Sequence, residues 1–527
     1  MRHVPVLVVG GSLTGLSAAV FLAMHRVPVL VVERRADVLA HPRLRGLLPR
    51  AMELYRQAGL EPAITEVCPP GAPAHRLVSV HAETLAGPHR LLAEPTDDDA
   101  GDGDGTPERP SPCDFVPIGQ HDLEALLVAH LRRSGTELCF GTELVHLEQD
   151  ADGVTARLRG PGGTAETVRA RYLVAADGAS SGTRRQLGIG STGPGTLFRM
   201  ATLHLRADLG AALRGRPVGM AYLDRPAPGT TLGPLDGSGR RWFFATSVPP
   251  GDRPADPVGW VRAATGLPGL DVELLEQVPG ADPVSTFPVG ARVADRYAEG
   301  RVFLAGDAAH LMPPTGSLGG LTGVEDAHNL AWKLAWVLNG TAGPALLSTY
   351  QSERRPVAER NMRQAYARGR ARWRLPGSGG AGEPILPGDT LMYGVRYVSA
   401  AVPGSAPGAS PLVRRPRGTP GTRAPHLYVS QDADAAVSTL DLYGTCLVAL
   451  VGPDGDPWAE AAHRAARNLS VPLEVYHLDE DLAAPHGLGA RGALLVRPDG
   501  HVAWRTRGAA ADPDREFTRA VRAVLAR

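Results

Sequence analysis

Two apolar runs near the N-terminus carry the first residues whose types and spacing point to chemistry. VPVLVV (4–9) is followed by Gly10, Gly11 and Gly15, an apolar stretch from Leu16 to Met24, and then VPVLVVE ending in Glu33. A β-branched run without alternation predicts a strand buried on both faces of a parallel sheet. Together these segments predict a βαβ unit with an acidic residue closing its second strand. Gly10 permits the tight turn, Gly15 lets helix and strand approach, and the helix N-terminus faces a pyrophosphate. Glu33 is placed to accept hydrogen bonds from ribose hydroxyls. The pattern GxGxxG asks for glycine where the chain has Ser12, which fits only if the hydroxyl turns outward. A literal GxGxxG at 188–193 has TRRQL before it and Pro194-Gly195 after it. With no strand leading in and no helix leading out, it reads as chance.

Two further strand ends carry carboxylates. RYLVAAD (171–177) runs into Gly178, and GRVFLAGD (300–307) runs into AAH and then Pro313-Pro314-Thr315-Gly316. Such ends place carboxylates and bare amides at the ligand edge of an α/β sheet. Gly178-Ala179-Ser180-Ser181-Gly182 also matches a hydrolase nucleophile elbow. A hydrolase would leave the βαβ unit and the GDAAH segment without a task, so Ser180 is not read as a nucleophile. His310 is read as structural rather than as a general base.

The GGSLTG turn with Glu33, the ADGASSGTR segment and GDAAHLMPPTGSLGG are similar to the three fingerprints of the flavoprotein aromatic hydroxylases. These enzymes have the p-hydroxybenzoate hydroxylase fold. PRLRGLLPRAMELYRQAGL (42–60) and GQHDLEALLVAHL (119–131) resemble that family's intervening segments, and the match spans most of residues 1–360. The resemblance implies FAD held by the turn Gly10, Gly11, Ser12, Leu13, Thr14 and Gly15, with Glu33 and Arg34 at the adenosine end. Arg43 and Gln120 would lie along the pyrophosphate and ribityl chain, and Asp307 on a ribityl hydroxyl. The loop with Pro314, Gly316, Gly319, Gly320 and Leu321 would offer amides to the pyrimidine edge of the flavin. Asp177 would support both FAD and the approach of NAD(P)H. No catalytic side chain is identified; the flavin-edge loop with Pro314, Gly319 and Gly320 stands in its place. The chain departs from the family with Ser317 where glycine is usual and Leu321 where asparagine is usual. Such enzymes reduce FAD with NAD(P)H, form a flavin C4a-hydroperoxide with O2, and hydroxylate a phenol. Baeyer–Villiger oxygenation of a polyketide ring stays open on the same fold, as does a flavoprotein oxidase or non-oxygenating FAD protein. A halogenase is disfavoured because WxWxIP and its lysine are missing.

The elements that must position these residues divide into an α/β (α+β overall) chain. Residues 1–75, 113–185 and 286–375 are expected to form a discontinuous Rossmann-like FAD-binding domain. Residues 76–112 and 186–285 are expected to form an inserted antiparallel-sheet substrate domain, with ATLHLRA and RRWFFATSV as strands. Tyr222, Trp242 and Phe244 are candidate cavity lining, with a core role as the competing reading. The acidic stretch 94–108 lacks EF-hand spacing and reads as a solvated loop. An Arg-rich helix (344–374) leads to a Gly/Pro-rich linker with a hairpin, LMYGVRYVSAAV, within 376–423. Residues 424–527 resemble the thioredoxin-like tail of polyketide-tailoring hydroxylases, without CxxC, in a structural or homodimer-contact role. That tail and the length point to a bulky, polycyclic phenol.

Composition narrows the field further. In 527 residues the basic and acidic side chains balance at 55 each, against a nucleic-acid or membrane-surface partner. Lys333 is the single lysine, which disfavours P-loop and Schiff-base chemistry. Cys68, Cys113, Cys139 and Cys446 are scattered without metal spacing, so no metal is expected. No targeting or transmembrane segment is read, and a cytoplasmic protein is expected.

Overall fold

The computed structural model describes residues 1–38, 45–68, 78–92, 109–249, 256–277, 280, 282–373, 383–405, 408–429 and 437–527. Arg43, the acidic stretch 94–108 and the start of the Gly/Pro-rich linker (376–382) lie outside them.

The apolar run near the N-terminus forms strand Arg2–Val9, the centre of an eight-stranded sheet. It pairs in parallel with Val29–Glu33 on one side and Ala165–Ala175 on the other. Val302–Leu304 and Glu137–Phe140 extend the parallel part outward. An antiparallel flap, Glu143–Gln149 and Val154–Arg159, attaches to the first half of Ala165–Ala175. All four motif-bearing strands therefore end at one edge. Helix Leu13–Met24, apolar on every side, lies between helices Leu318–Leu338 and Gln120–Arg133. Helix Leu318–Leu338 is itself buried from Leu321 to Val337, which fits a helix sandwiched within a core rather than covering one.

The inserted domain is a nine-stranded sheet built on the long strand Ser191–Arg206. Arg241–Val248 and Ser285–Ala294 flank it, both antiparallel, as the alternation of ATLHLRA and RRWFFATSV predicts. Helix Pro257–Thr265 packs on one face, over Leu203, Leu205, Trp242 and Phe244. Residues 286–294, grouped by the sequence with the nucleotide-binding domain, pair in this second sheet. Pro288 and Gly290 interrupt their alternation, and two register shifts accompany them. The literal GxGxxG at 188–193 leads into a strand rather than a helix.

The tail carries a four-stranded mixed sheet in the order Leu473–His477, Leu447–Val451, Ala493–Val496, Val502–Thr506. Its first pair is parallel, the rest antiparallel, and helices Asp456–Leu469 and Pro513–Val524 pack together against it. This is a thioredoxin-like domain, and its last two strands form a hairpin around Asp499-Gly500. The hairpin expected from LMYGVRYVSAAV is not. Its first residues close helix Gly388–Tyr393, while Val395 and Arg396 bridge to Leu412 and Thr422. Pro387 pre-forms the start of that helix, and Val395 and Tyr397 are drawn into a small core with Val357 and Val402.

Candidate functional site

The glycine turn owes its shape to close backbone approach. Gly10 has φ +111°, and a Cβ there would sit 2.2 Å from the Ala176 carbonyl oxygen. A Cβ on Gly15 would sit 1.8 Å from the Gly10 oxygen. Any side chain at either position would push strand and helix apart. Glu33 is 7% exposed and accepts hydrogen bonds from the amides of Gly11 (2.8 Å) and Arg35 (2.9 Å). Ser12 donates its hydroxyl to Glu124 Oε1 at 2.6 Å, turning away from the turn's open side. The same oxygen accepts from the Leu13 amide (2.9 Å) and from Gln120 Nε2 (2.6 Å). Ser12 does not cap helix Leu13–Met24 with its side chain, and the Leu13 amide is met instead by Glu124 from the neighbouring helix. Glu124 was not singled out from the sequence. Its signal is spacing, since it follows Gln120 by four residues on one helix face.

The second motif meets the first at Gly10, through Ala176, and the third meets it at Thr14. A Cβ on Gly306 would lie 2.3 Å from Thr14 Oγ1, and one on Gly323 would lie 2.5 Å from it. Glycine is therefore required on both the GDAAH loop and the following helix. Asp307 is exposed one residue beyond Gly306, at the carboxyl end of strand Val302–Leu304. Fully buried Asp326 accepts from the Gly306 amide (3.2 Å) and pairs with His310 Nε2 (2.7 Å) and Arg354 Nε (2.8 Å). Burial alone would raise its pKa, but His310 and Arg354 hold it below the ordinary carboxylate value. His310 is thus a buried strut of this loop.

The flavin-edge loop is fastened by Thr315, whose amide donates to Pro313 O (2.8 Å) and whose hydroxyl donates to Ala365 O (2.5 Å). Gly316 (φ +75°) and Ser317 (φ +56°) both adopt left-handed backbone before helix Leu318–Leu338 begins. Pro314 and Ser317 are exposed and Gly316, Gly319 and Gly320 half-buried, whereas Leu321 points into the core at 3% exposure. Asp177 accepts from Ser181 Oγ (2.5 Å) and the Thr183 amide (2.9 Å), fixing the start of helix Gly182–Gln186. Arg184, Arg185 and Arg292 gather at this loop, Arg292 donating to Ala179 O at 2.6 Å. Burial, then repulsion from Arg292, lowers the Arg184 pKa. Beside Glu33 a cleft of about 480 Å³ opens, lined by Arg34, Arg35, Gly141, Glu143 and Arg159 among others.

One face of the second sheet turns toward helix Thr349–Trp373. Met200, Tyr222, Ala245 and Val289 pack there with Trp373. Arg372 donates to the Tyr222 hydroxyl at 3.1 Å and lies over its ring at 5.2 Å. Arg45 reaches the same region, donating to Pro234 O and lying 5.2 Å from the Phe243 ring centre. Burial pushes its pKa down to about 10. Of the three aromatic candidates, only Tyr222 is on this face. Trp242 donates to Ala207 O (3.1 Å) and, with Phe244, fills the core under helix Pro257–Thr265. Strand alternation sends Phe243 and Ala245 the other way.

Residues 3–365 match the family model described as FAD binding domain, and residues 417–527 match aromatic-ring hydroxylase, C-terminal. The chain is 40% identical to tetracenomycin B2 monooxygenase-dioxygenase of Streptomyces olivaceus, over 100% of this chain and 99% of that protein. It is 40% identical to 4-methyl-5-nitrocatechol 5-monooxygenase of a Burkholderia species, covering 100% and 98%. The crystal structure of aklavinone-11 hydroxylase in ternary complex with FAD and aklavinone superposes with TM-score 0.89 at 37% identity, covering 100% of both chains. Among the described residues no helix is long and apolar enough to cross a membrane. Glycines that nothing larger can replace and three motifs packed around the first strand–helix turn fit the bound dinucleotide these matches require, and the chain belongs to the FAD-dependent aromatic-ring hydroxylases.

Proposed function

We propose that this monooxygenase hydroxylates a polycyclic phenol of polyketide type, with NAD(P)H and O2 as co-substrates. The observation that carries this reading is the packing of the first motif against the second at Gly10 and against the third at Thr14, together with an apolar sheet face edged by Arg372 and Tyr222. FAD, when bound, would supply the redox chemistry by which electrons from NAD(P)H activate O2, one oxygen atom going to the ring and the other to water. The chain's own residues supply binding and orientation. Glu33 receives the adenosine ribose, the first turn of helix Leu13–Met24 the pyrophosphate, and Asp307 a ribityl hydroxyl. The loop 314–320 offers amides where negative charge gathers on the flavin. Arg184, Arg185 and Arg292 concentrate positive charge where a dissociable dinucleotide's phosphates would dock. Arg372 and Tyr222 hold a polar pair against an apolar wall, which suits a flat aromatic substrate with a phenolic oxygen. Trp373 and Phe198, edge to face at 5.4 Å, help to close that wall to water.

The support for a polycyclic substrate is the likeness to proteins named for tetracenomycin and aklavinone. The nitrocatechol relative argues for testing single rings as well. The purified yellow protein should oxidise NADH or NADPH in air faster with tetracyclic phenols than with catechols. The product should carry one oxygen atom from isotopically labelled O2. Hydrogen peroxide as the only product, whatever the phenol, would remove the hydroxylase reading and favour an oxidase.

A further inference from the structure

The hairpin turn of the tail, Arg497 to His501, is buried inside the flavin-binding body. Arg497 donates to both oxygens of Glu353, at 2.6 and 2.9 Å, and Lys333 Nζ donates to the same carboxylate at 2.7 Å. Asn329 donates to Glu353 at 2.8 Å, and Ser399 donates to its other oxygen at 2.6 Å. On the far side of the turn, His501 stacks on Tyr397 with ring centres 4.2 Å apart and planes 22° apart. The Tyr397 hydroxyl accepts from Arg354 NH1 at 2.9 Å. Arg354 then donates to Asp326 (2.8 Å), Glu325 (3.1 Å) and the Thr322 carbonyl (3.1 Å). Asp326 holds the Gly306 amide and His310, next to Asp307. Thr322 lies four residues beyond Leu318, where the flavin-edge loop becomes helix.

These groups have little freedom. Lys333, Glu353, Arg354, Arg497, Asp499 and Asp326 are each at most 1% exposed. Charges this deep are tolerable only when every partner is in place, so the network has one workable arrangement. The guanidinium of Arg354 is planar and rigid, so its bonds to Tyr397, Asp326 and Thr322 are set together. A shift of Tyr397 must reach the Gly306 loop and the helix start.

We infer that Tyr397 and Arg354 are positioning residues through which the tail's Arg497–His501 turn sets the flavin-binding loops at Gly306–Asp307 and Pro314–Gly320. The tail in this reading contributes to the flavin site without touching the flavin. The inference rests on the assignment of those loops to FAD under the proposed function.

The test uses three variants of the full-length holoenzyme. Tyr397→Phe removes only the hydroxyl that Arg354 binds and keeps the ring on His501. It should weaken FAD binding by about tenfold, a typical size for coupling through a buried network. The visible flavin band should also shift, and the urea midpoint should fall about as far as in Ser399→Ala, since each variant leaves one group of the network short of a partner. Ser399→Ala deletes a buried hydrogen bond to Glu353 without touching Arg354. It should lower the urea midpoint and leave FAD affinity and spectrum unchanged. Asp307→Asn should weaken FAD directly; unaltered flavin binding there would overturn the loop assignment beneath the inference, though not FAD binding by the protein. Parent-like FAD affinity in Tyr397→Phe, with Asp307→Asn impaired, would overturn the coupling itself. So would Ser399→Ala loosening FAD as much as Tyr397→Phe, because the network would then be setting stability alone.

Discussion

At the scale of single residues, Ser317 shows what a departure from the family pattern costs. It has φ +56°, where a Cβ crowds the backbone and glycine does not. Ser317→Gly should stabilise the holoenzyme by about 1 kcal/mol, the left-handed strain relieved outweighing glycine's extra unfolded-state entropy. Urea unfolding of both proteins checks this, and an unchanged or lower midpoint would mean the left-handed turn is unstrained. Leu321 is a milder departure, because its side chain joins the core and leaves the loop's backbone to meet the flavin. His328 gives a pH dependence with a definite sign. It is buried edge-on to Phe21 at 4.8 Å, and burial pushes its pKa down to about 3 from an ordinary 6.5. The unfolded chain takes up the proton first, so this group's contribution is complete above pH 6.5 and is lost as pH falls toward 3. Within that window the loss approaches about 1.4 kcal/mol per pH unit. Urea midpoints between about pH 7.5 and 5 should fall less steeply for His328→Asn than for the parent, and parallel curves would dispose of the assignment.

At the scale of elements, helix Gln120–Arg133 matters through its first turn. Glu124 fixes the Ser12 hydroxyl, the Leu13 amide and Gln120 with one carboxylate oxygen. Glu124→Ala should release all three and weaken FAD binding about tenfold, with little change in the strands below. Fluorescence titration of the flavin-free protein measures this; affinity within twofold of the parent would show that the turn holds itself. The βαβ unit, its glycines and Glu33 were legible in the sequence because each is local, a period and a spacing within some thirty residues. The strands of the second sheet were legible for the same reason. Which face meets the substrate was not. Arg241–Val248 carries aromatics on both sides, and only helix Pro257–Thr265, packed from elsewhere, decides that Trp242 and Phe244 are core. Pro288 and Gly290 hid the strand that returns to the second sheet. Lys333 was visible as the single lysine, but not as the partner of Glu353, because pairing across two helices leaves no spacing to read.

At the scale of the whole molecule, the tail is held by charge as much as by apolar surface. Arg423 grips Glu53 with both oxygens, across 370 residues of sequence, and Arg50 donates to the same carboxylate at 2.8 Å. Arg497 does the same for Glu353. Removing residues 417–527 would leave Glu53 with Arg50 and Ser111, and Glu353 with Lys333, Asn329 and Ser399. Breaking one buried pair from one side costs about 3–5 kcal/mol, and two such losses rival the about 5–15 kcal/mol by which whole domains are stable. Truncation also takes Leu447, Trp458 and Phe517 out of the main core that they share with residues of the body. A chain ending at residue 416 should therefore collect in the insoluble fraction, or dissolve without flavin, and co-expressing residues 417–527 should recover some yellow protein. The soluble fraction and the flavin-to-protein ratio are the measurements. A soluble 1–416 that binds FAD stoichiometrically would mean that the partners left in the body satisfy both carboxylates, and that the tail is an attached module rather than part of the fold.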